Sequence, residues 1–153
     1  MDTVHEAGFE SSAGGWVGGT LTPCGNRSVL RFSGGDVAAV TVSGLPAHDF
    51  VRVELDVVAI DTWEAADSYT VDVEGLLFGP FDQGSGGVAE SGQLCGLPVD
   101  PFLLPQGSGV DTVRHVAVEV PHTASSVAVS VHAALDEDIG DESIAVDAVV
   151  VTT

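Results

Sequence analysis

The chain has 153 residues, with 23 acidic side chains against four basic ones, a formal net charge of −19 and a pI near 4.1. A hydrophobic share of 44% excludes a disordered acidic tail. The charge argues against nucleic acid and anionic membrane surfaces as partners and suits divalent cations.

The length fits a single domain, residues 1–153, with a sizeable core. No apolar run reaches membrane-spanning length, so membrane insertion is not expected. MDTVHEAGFE lacks a basic stretch followed by an apolar one, and we read the chain as an excised mature module. Glycine (19) and proline (7) are frequent, and no segment keeps a helical period. Short alternating runs between turn residues predict an all-β antiparallel sandwich of roughly eight to ten strands.

In chain order, VHEAGFE reads as a first strand ending at Phe9-Glu10, followed by a glycine turn that carries Trp16. GTLTPCGNRS reads as a loop, SVLRF as a short strand, and DVAAVTVSGLP as a strand closed by a Gly-Leu-Pro turn. The clearest strand is Asp49–Ile60, with Val51, Val53, Leu55 and Val57 on one face and Arg52, Glu54 and Asp56 on the other. DTWEAAD is an acidic bend, and SYTVDVEG turns Tyr69, Val71 and Val73 inward. Residues 79–109 read as one long loop, with at most short strands around Val88–Leu94, a length at which loops tend to carry function. VDTVRHVAVEVP, SSVAVSVHAAL and SIAVDAVVVTT supply three regular strands.

The last of these follows the acidic run DEDIGDE. Read with period two, Ile144, Val146, Ala148 and Val150 share one face, and Ala145, Asp147, Val149 and Val151 the other. Both faces are apolar except for Asp147. A buried carboxylate is costly unless it is protonated, paired or bound to a metal. Only Arg27, Arg31, Arg52 and Arg114 are available for pairing, since the chain has no lysine. A hard dication held by oxygen ligands is the more economical solution, and calcium fits it best. The alternative is a strand-end Asp hydrogen-bonded to backbone.

FESSAGGW, matched with an Asp in the last strand, resembles the jelly-roll carbohydrate-binding-module superfamily. That resemblance implies a jelly-roll-like sandwich whose two chain ends lie side by side, tied by calcium through Glu10 and Asp147 with backbone carbonyls. A second resemblance covers nearly the whole length. GW, LPAH, IDTWEAAD, VDVEG and DES-x-x-x-D are similar to an extracellular module of large bacterial and algal surface proteins, with its pattern LPxH, IDSWDG and DESWGIDNV. Glu64 and Ala65 stand in place of its Asp-Gly, and Ile144, Ala145 and Ala148 in place of its Trp, Gly and Asn. The resemblance implies a calcium-binding module at a cell surface or in the extracellular space.

Asp61, Asp67, Asp141 and Glu142 lie in two acidic bends that either converge on a second calcium or remain solvated turns. Asp136-x-Asp138-x-Gly140 has the look of a calcium loop but lacks the twelfth-position Glu of an EF-hand. Trp16 and Trp63, with Tyr69, are either a sugar-stacking platform or core residues. Cys24 and Cys95 have no zinc-ligand spacing; they form one disulfide in an oxidising compartment or stay as two thiols. The five histidines share no ligand spacing, with His48 bonding locally in its turn and His115 and His132 facing solvent. No nucleophile elbow, zinc helix or phosphate loop is present, so catalysis is not expected. Three functions remain: a non-catalytic binding or adhesion module directed at a glycan or cell-surface polymer, a structural spacer that binds calcium alone, and an enzyme of unknown type.

Overall fold

The computed structural model describes residues 2–24, 27–60, 63, 66–82, 88–89, 111–136 and 142–153; the expectations for Asp61, Cys95, Asp138 and Asp141 fall outside them. The strands are β1 (Thr3–Ala7), β2 (Thr20–Cys24), β3 (Arg27–Phe32), β4 (Val37–Ser43), β5 (Phe50–Ile60) and β6 (Ser68–Val73). They continue with β7 (Leu76–Phe81), β8 (Val88–Ala89), β9 (Thr112–Pro121), β10 (Ser126–Ala134) and β11 (Ser143–Thr152). Seven form one sheet in the order β2-β3-β11-β5-β9-β8, with β1 added beside β11, and four form a second in the order β4-β10-β6-β7. Every pairing between them is antiparallel. The protein is an all-β sandwich.

Alternation drives the packing. Val51, Val53, Leu55 and Val57 of β5 are at most 1% exposed and face the second sheet, where Val127, Val129 and Val131 of β10 meet them in one core. Each such side chain contributes about 1.5–3 kcal/mol relative to exposure. Val58 and Ile60 fall on the far face of the large sheet, in a smaller cluster with Cys24, Val29 and Ala145. Cys24 is fully buried and disulfide-bonded.

The last strand holds the large sheet together. β11 pairs with β5 along one edge, while its other edge takes β3 at residues 144–146 and β1 at residues 149–152. Asp2 and Thr153 exchange backbone hydrogen bonds of 3.0 and 2.9 Å, so the first and last strands run side by side.

Three readings are corrected. TLTPC, read within a loop, is β2, and Gly79–Phe81, read as the start of the long loop, belong to β7. Both lie at a sheet edge, where proline's missing N–H costs no ladder bond. The first strand stops at Ala7, leaving Phe9 (φ 57°) and Glu10 in the turn. In β11 the strict alternation fails: a bulge between Asp147 and Val150 puts Ala148 at φ 49°. Ile144, Val146, Val149 and Val151 therefore all join the main core, while Ala148 is exposed.

Candidate functional site

At one end of the sandwich the β5–β6 and β10–β11 connections meet. Asp67, Asp136 and Glu142 each place a carboxylate oxygen within 4.8 Å of the others. Asp67 and Glu142 are 1% and 0% exposed, whereas Asp136 is open to solvent. Glu142 Oε1 accepts from the Asp136 backbone N–H at 2.9 Å, which fixes the turn onto its own carboxylate. The close approach of Gly34 to Leu135 steadies this turn, since a Cβ there would fall 2.1 Å from the Leu135 carbonyl. Trp63 seals the end: its Nε1 donates to the Ser143 carbonyl at 3.1 Å, and its ring meets Tyr69 edge-on at 6.1 Å. Ser143 Oγ in turn accepts from Arg31 Nε at 2.8 Å. Three carboxylates on converging turns, two of them buried, match the oxygen chemistry that calcium prefers.

A second acidic place lies on the outer face of the large sheet, just before the bulge in β11. Asp147, 7% exposed, stands opposite Asp56 of β5. Burial pushes its carboxyl upward, and the charges of Glu10 and Asp56 push the same way; the Ala148 N–H and Arg27 pull it back. Arg27 approaches only to 3.9 Å. Glu10 is exposed, and its Oε2 accepts from the Ser28 N–H at 3.2 Å. The loop after β1 thus brings Glu10 near enough for its charge to act on Asp147. Two like charges, one of them desolvated, fit a dication in donor type.

On the same outer face His115 is paired with Glu54 and Asp56. His115 Nδ1 lies 2.8 Å from Asp56 Oδ1 and its Nε2 3.4 Å from Glu54 Oε1. The bond to Asp56 first, then the one to Glu54, holds the His115 ring above the usual histidine range despite some burial. His48 of LPAH hydrogen-bonds the Pro46 carbonyl locally, and its Nε2 also lies 2.7 Å from His122 Nδ1. That contact inside a 5.0 Å centroid separation sets the two rings edge to edge, pinning the β4–β5 turn to the β9–β10 turn.

The tryptophans are core residues. Trp16 is 4% exposed and meets Phe9 edge-on at 6.1 Å, while Trp63 is 7% exposed. Neither ring offers a face for a sugar to stack on.

A cleft of about 480 Å³ opens at the side of the sandwich, between edge strand β7 and β9. Leu77, Phe78 and Phe81 form one wall and Arg114, Val116 and Val118 the other. The Arg114 guanidinium carbon sits 4.8 Å over the Phe81 ring, a cation–π contact. Sequence reasoning counted Arg114 only as a general cation. The signal was there, since Arg114, Val116, Val118 and Val120 share the inward register of β9.

No protein-family model and no curated protein matches the chain. Solved structures are similar in fold. Over 95% of its length the chain matches 91% of a family 35 carbohydrate binding module from an environmental isolate, with TM-score 0.52 and 15% identity. It also matches, over 99% of its length, 18% of a family GH115 4-O-methyl-alpha-glucuronidase, BtGH115A, with specificity for decorated arabinogalactans (TM-score 0.50, 12% identity). A third likeness, again over 99%, is to 13% of dimeric latent PorU from Porphyromonas gingivalis (TM-score 0.51, 9% identity). At such identities the likeness is one of fold, and the fold is one that a carbohydrate-binding module uses.

Proposed function

We propose that this chain is a non-catalytic, calcium-stabilised binding module of a secreted or cell-surface protein, directed at a carbohydrate. The observation that carries the reading is the end-to-end likeness to a carbohydrate binding module, which covers nearly all of both chains. The calcium part rests on two acidic places, Glu10 with Asp147 and Asp67 with Asp136 and Glu142. Bound there, calcium would supply positive charge and join segments far apart in the chain. The residues themselves set the spacing: Asp147 shares the outer face with Ala145, and Trp63 holds Ser143 beside Glu142. Non-catalytic action is consistent with carboxylates that sit at strand ends and on an outer face rather than paired across a cleft.

One observation favours a second reading, a structural spacer that binds only calcium. The large apolar side chains exposed among the described residues are Val17, Leu21, Val37, Leu76 and Leu77, with no aromatic ring among them. A broad array of plant, algal and bacterial glycans, probed in calcium and in EDTA, separates the two. Binding of at least millimolar strength, about −4 kcal/mol, supports the binding module. An array without a single hit, combined with a calcium-dependent rise in melting temperature, selects the spacer.

A further inference from the structure

Three of the four arginines reach an oxygen partner: Arg27 approaches Asp147, Arg31 donates to Ser143, and Arg52 pairs with Glu54 at 3.3 Å. Arg114 does not. Its Nε and Nη2 are buried and have no hydrogen-bond partner among the described residues, and its guanidinium lies over the face of Phe81. In a chain with 23 acidic residues, an unpaired guanidinium between two sheets is not a shortage of partners. Leaving such donors unsatisfied in an apolar setting is costly. Nε and Nη2 also share one edge of the guanidinium, and their parallel N–H bonds are the fork that grips a carboxylate through both oxygens. The Tyr69 hydroxyl is likewise buried without a partner, and it lies near enough to Arg114 to respond to its charge. Beside these donors is a cleft large enough for a compact organic ligand, walled by Phe78, Phe81, Val116 and Val118. At Gly79 the chain runs so close to β6 that a Cβ would meet the Tyr69 carbonyl at 3.0 Å, so this position leaves the wall without a side chain.

We infer that the β7–β9 cleft is a carboxylate-binding site in which Arg114 holds the anion and the apolar wall holds the body of the ligand. The ligand is a compact carboxylate, either a hexuronate unit of a glycan or a free organic acid. Binding draws the guanidinium edge toward the cleft on its flexible stem, exchanging unsatisfied donors for a charge-assisted pair. Lysine cannot substitute, because its ammonium offers a point charge and no fork. Only the hexuronate source rests on the glycan-binding function proposed above; the site itself stands on Arg114 and the cleft.

The test is a backbone amide NMR titration of the full chain with four probes: glucuronate, cyclohexanecarboxylate, glucose and acetate. Either of the first two should shift the amides of Leu77–Gly79, Phe81 and 114–118, and the tighter one names the source. Glucose, which lacks the carboxylate, and acetate, which lacks the body, should each bind at least ~10-fold more weakly. Arg114→Met and Arg114→Lys should both lose at least ~10-fold while the remaining resonances stay in place. Arg114→Lys keeps the cation over Phe81, so it carries the test if Arg114→Met does not fold. Carboxylates that leave those amides unmoved overturn the site, as does acetate equal to glucuronate or an Arg114→Lys variant that binds as the parent does. A glycan that binds elsewhere, indifferent to Arg114, while both carboxylates leave the cleft amides unmoved, sinks this inference and leaves the binding-module reading intact. Cyclohexanecarboxylate binding without any saccharide does the reverse.

Discussion

The acidic end and the side cleft are opposite solutions to charge in a sandwich of valines. At the end, Asp67, Asp136 and Glu142 are drawn together although like charges repel; in the cleft, Arg114 is kept apart although carboxylates abound. One row of rings connects the two places, from Trp63 to Tyr69 at 6.1 Å, to Phe81 at 5.1 Å and on to the Arg114 guanidinium. Each concentrates one sign of charge on a rigid apolar support, which is how a protein prepares for a ligand of the other sign.

The largest effect should come from breaking the row at its acidic end. Trp63→Ala removes a buried indole and the bond to the Ser143 carbonyl, and should cost about 3–5 kcal/mol in urea unfolding. A loss below ~1 kcal/mol would show that Trp63 does not brace that end. Next comes Glu142→Gln, which removes one buried charge and nearly no volume. Calcium at 100 times its dissociation constant raises stability by about 2.7 kcal/mol, and this variant should lose most of the part that its own site supplies. An unchanged calcium response on titration calorimetry would remove Glu142 from the ligand set. Tyr69→Phe should change stability by less than ~1 kcal/mol in either direction, because it deletes a hydroxyl that bonds nothing. A larger loss by thermal melting would mean that the hydroxyl has a partner in solution.

The smallest effect lies on the outer face of β9, next to the cleft. His115 is raised by Asp56 first and Glu54 second, so the stability from this pair is present below the ordinary histidine pKa and fades as pH rises through the raised value. Proton NMR should find His115 titrating above an ordinary histidine, with Asp56→Asn bringing it down. An unmoved titration in that variant would contradict the assignment to Asp56.

Much of the fold was legible because alternation is a direct consequence of a sheet with one buried face. Val51 to Val57, and Tyr69, Val71 and Val73, fall where period two puts them. The missed strands, β2 and β7, contain Pro23 and Gly79-Pro80, residues that argue against a strand unless it is an edge, and edges are a property of the whole sheet. The bulge in β11 was hidden for a different reason. Ala148 takes a positive φ that favours glycine or asparagine, so no local signal announced it. At the acidic end, the bends containing Asp67 and Glu142 were readable, but Asp136 joined them through a hydrogen bond across a turn that composition does not encode. Trp16 and Trp63 were open to two readings because an aromatic beside a glycine turn suits a platform or a plug equally; depth in the core decided it.

The most direct measurement of the central claim is thermal unfolding in EDTA, in magnesium and in calcium, at fixed ionic strength, on the parent and on Asp147→Asn. Calcium should raise the parent's melting temperature by several degrees, about what 2.7 kcal/mol produces in a domain of this size, and magnesium should do less. Asp147→Asn should lose the part of that shift contributed by Glu10 and Asp147, and melt below the parent in saturating calcium. Parent curves that coincide in EDTA and calcium, with metal analysis showing no retained ion, would contradict the account.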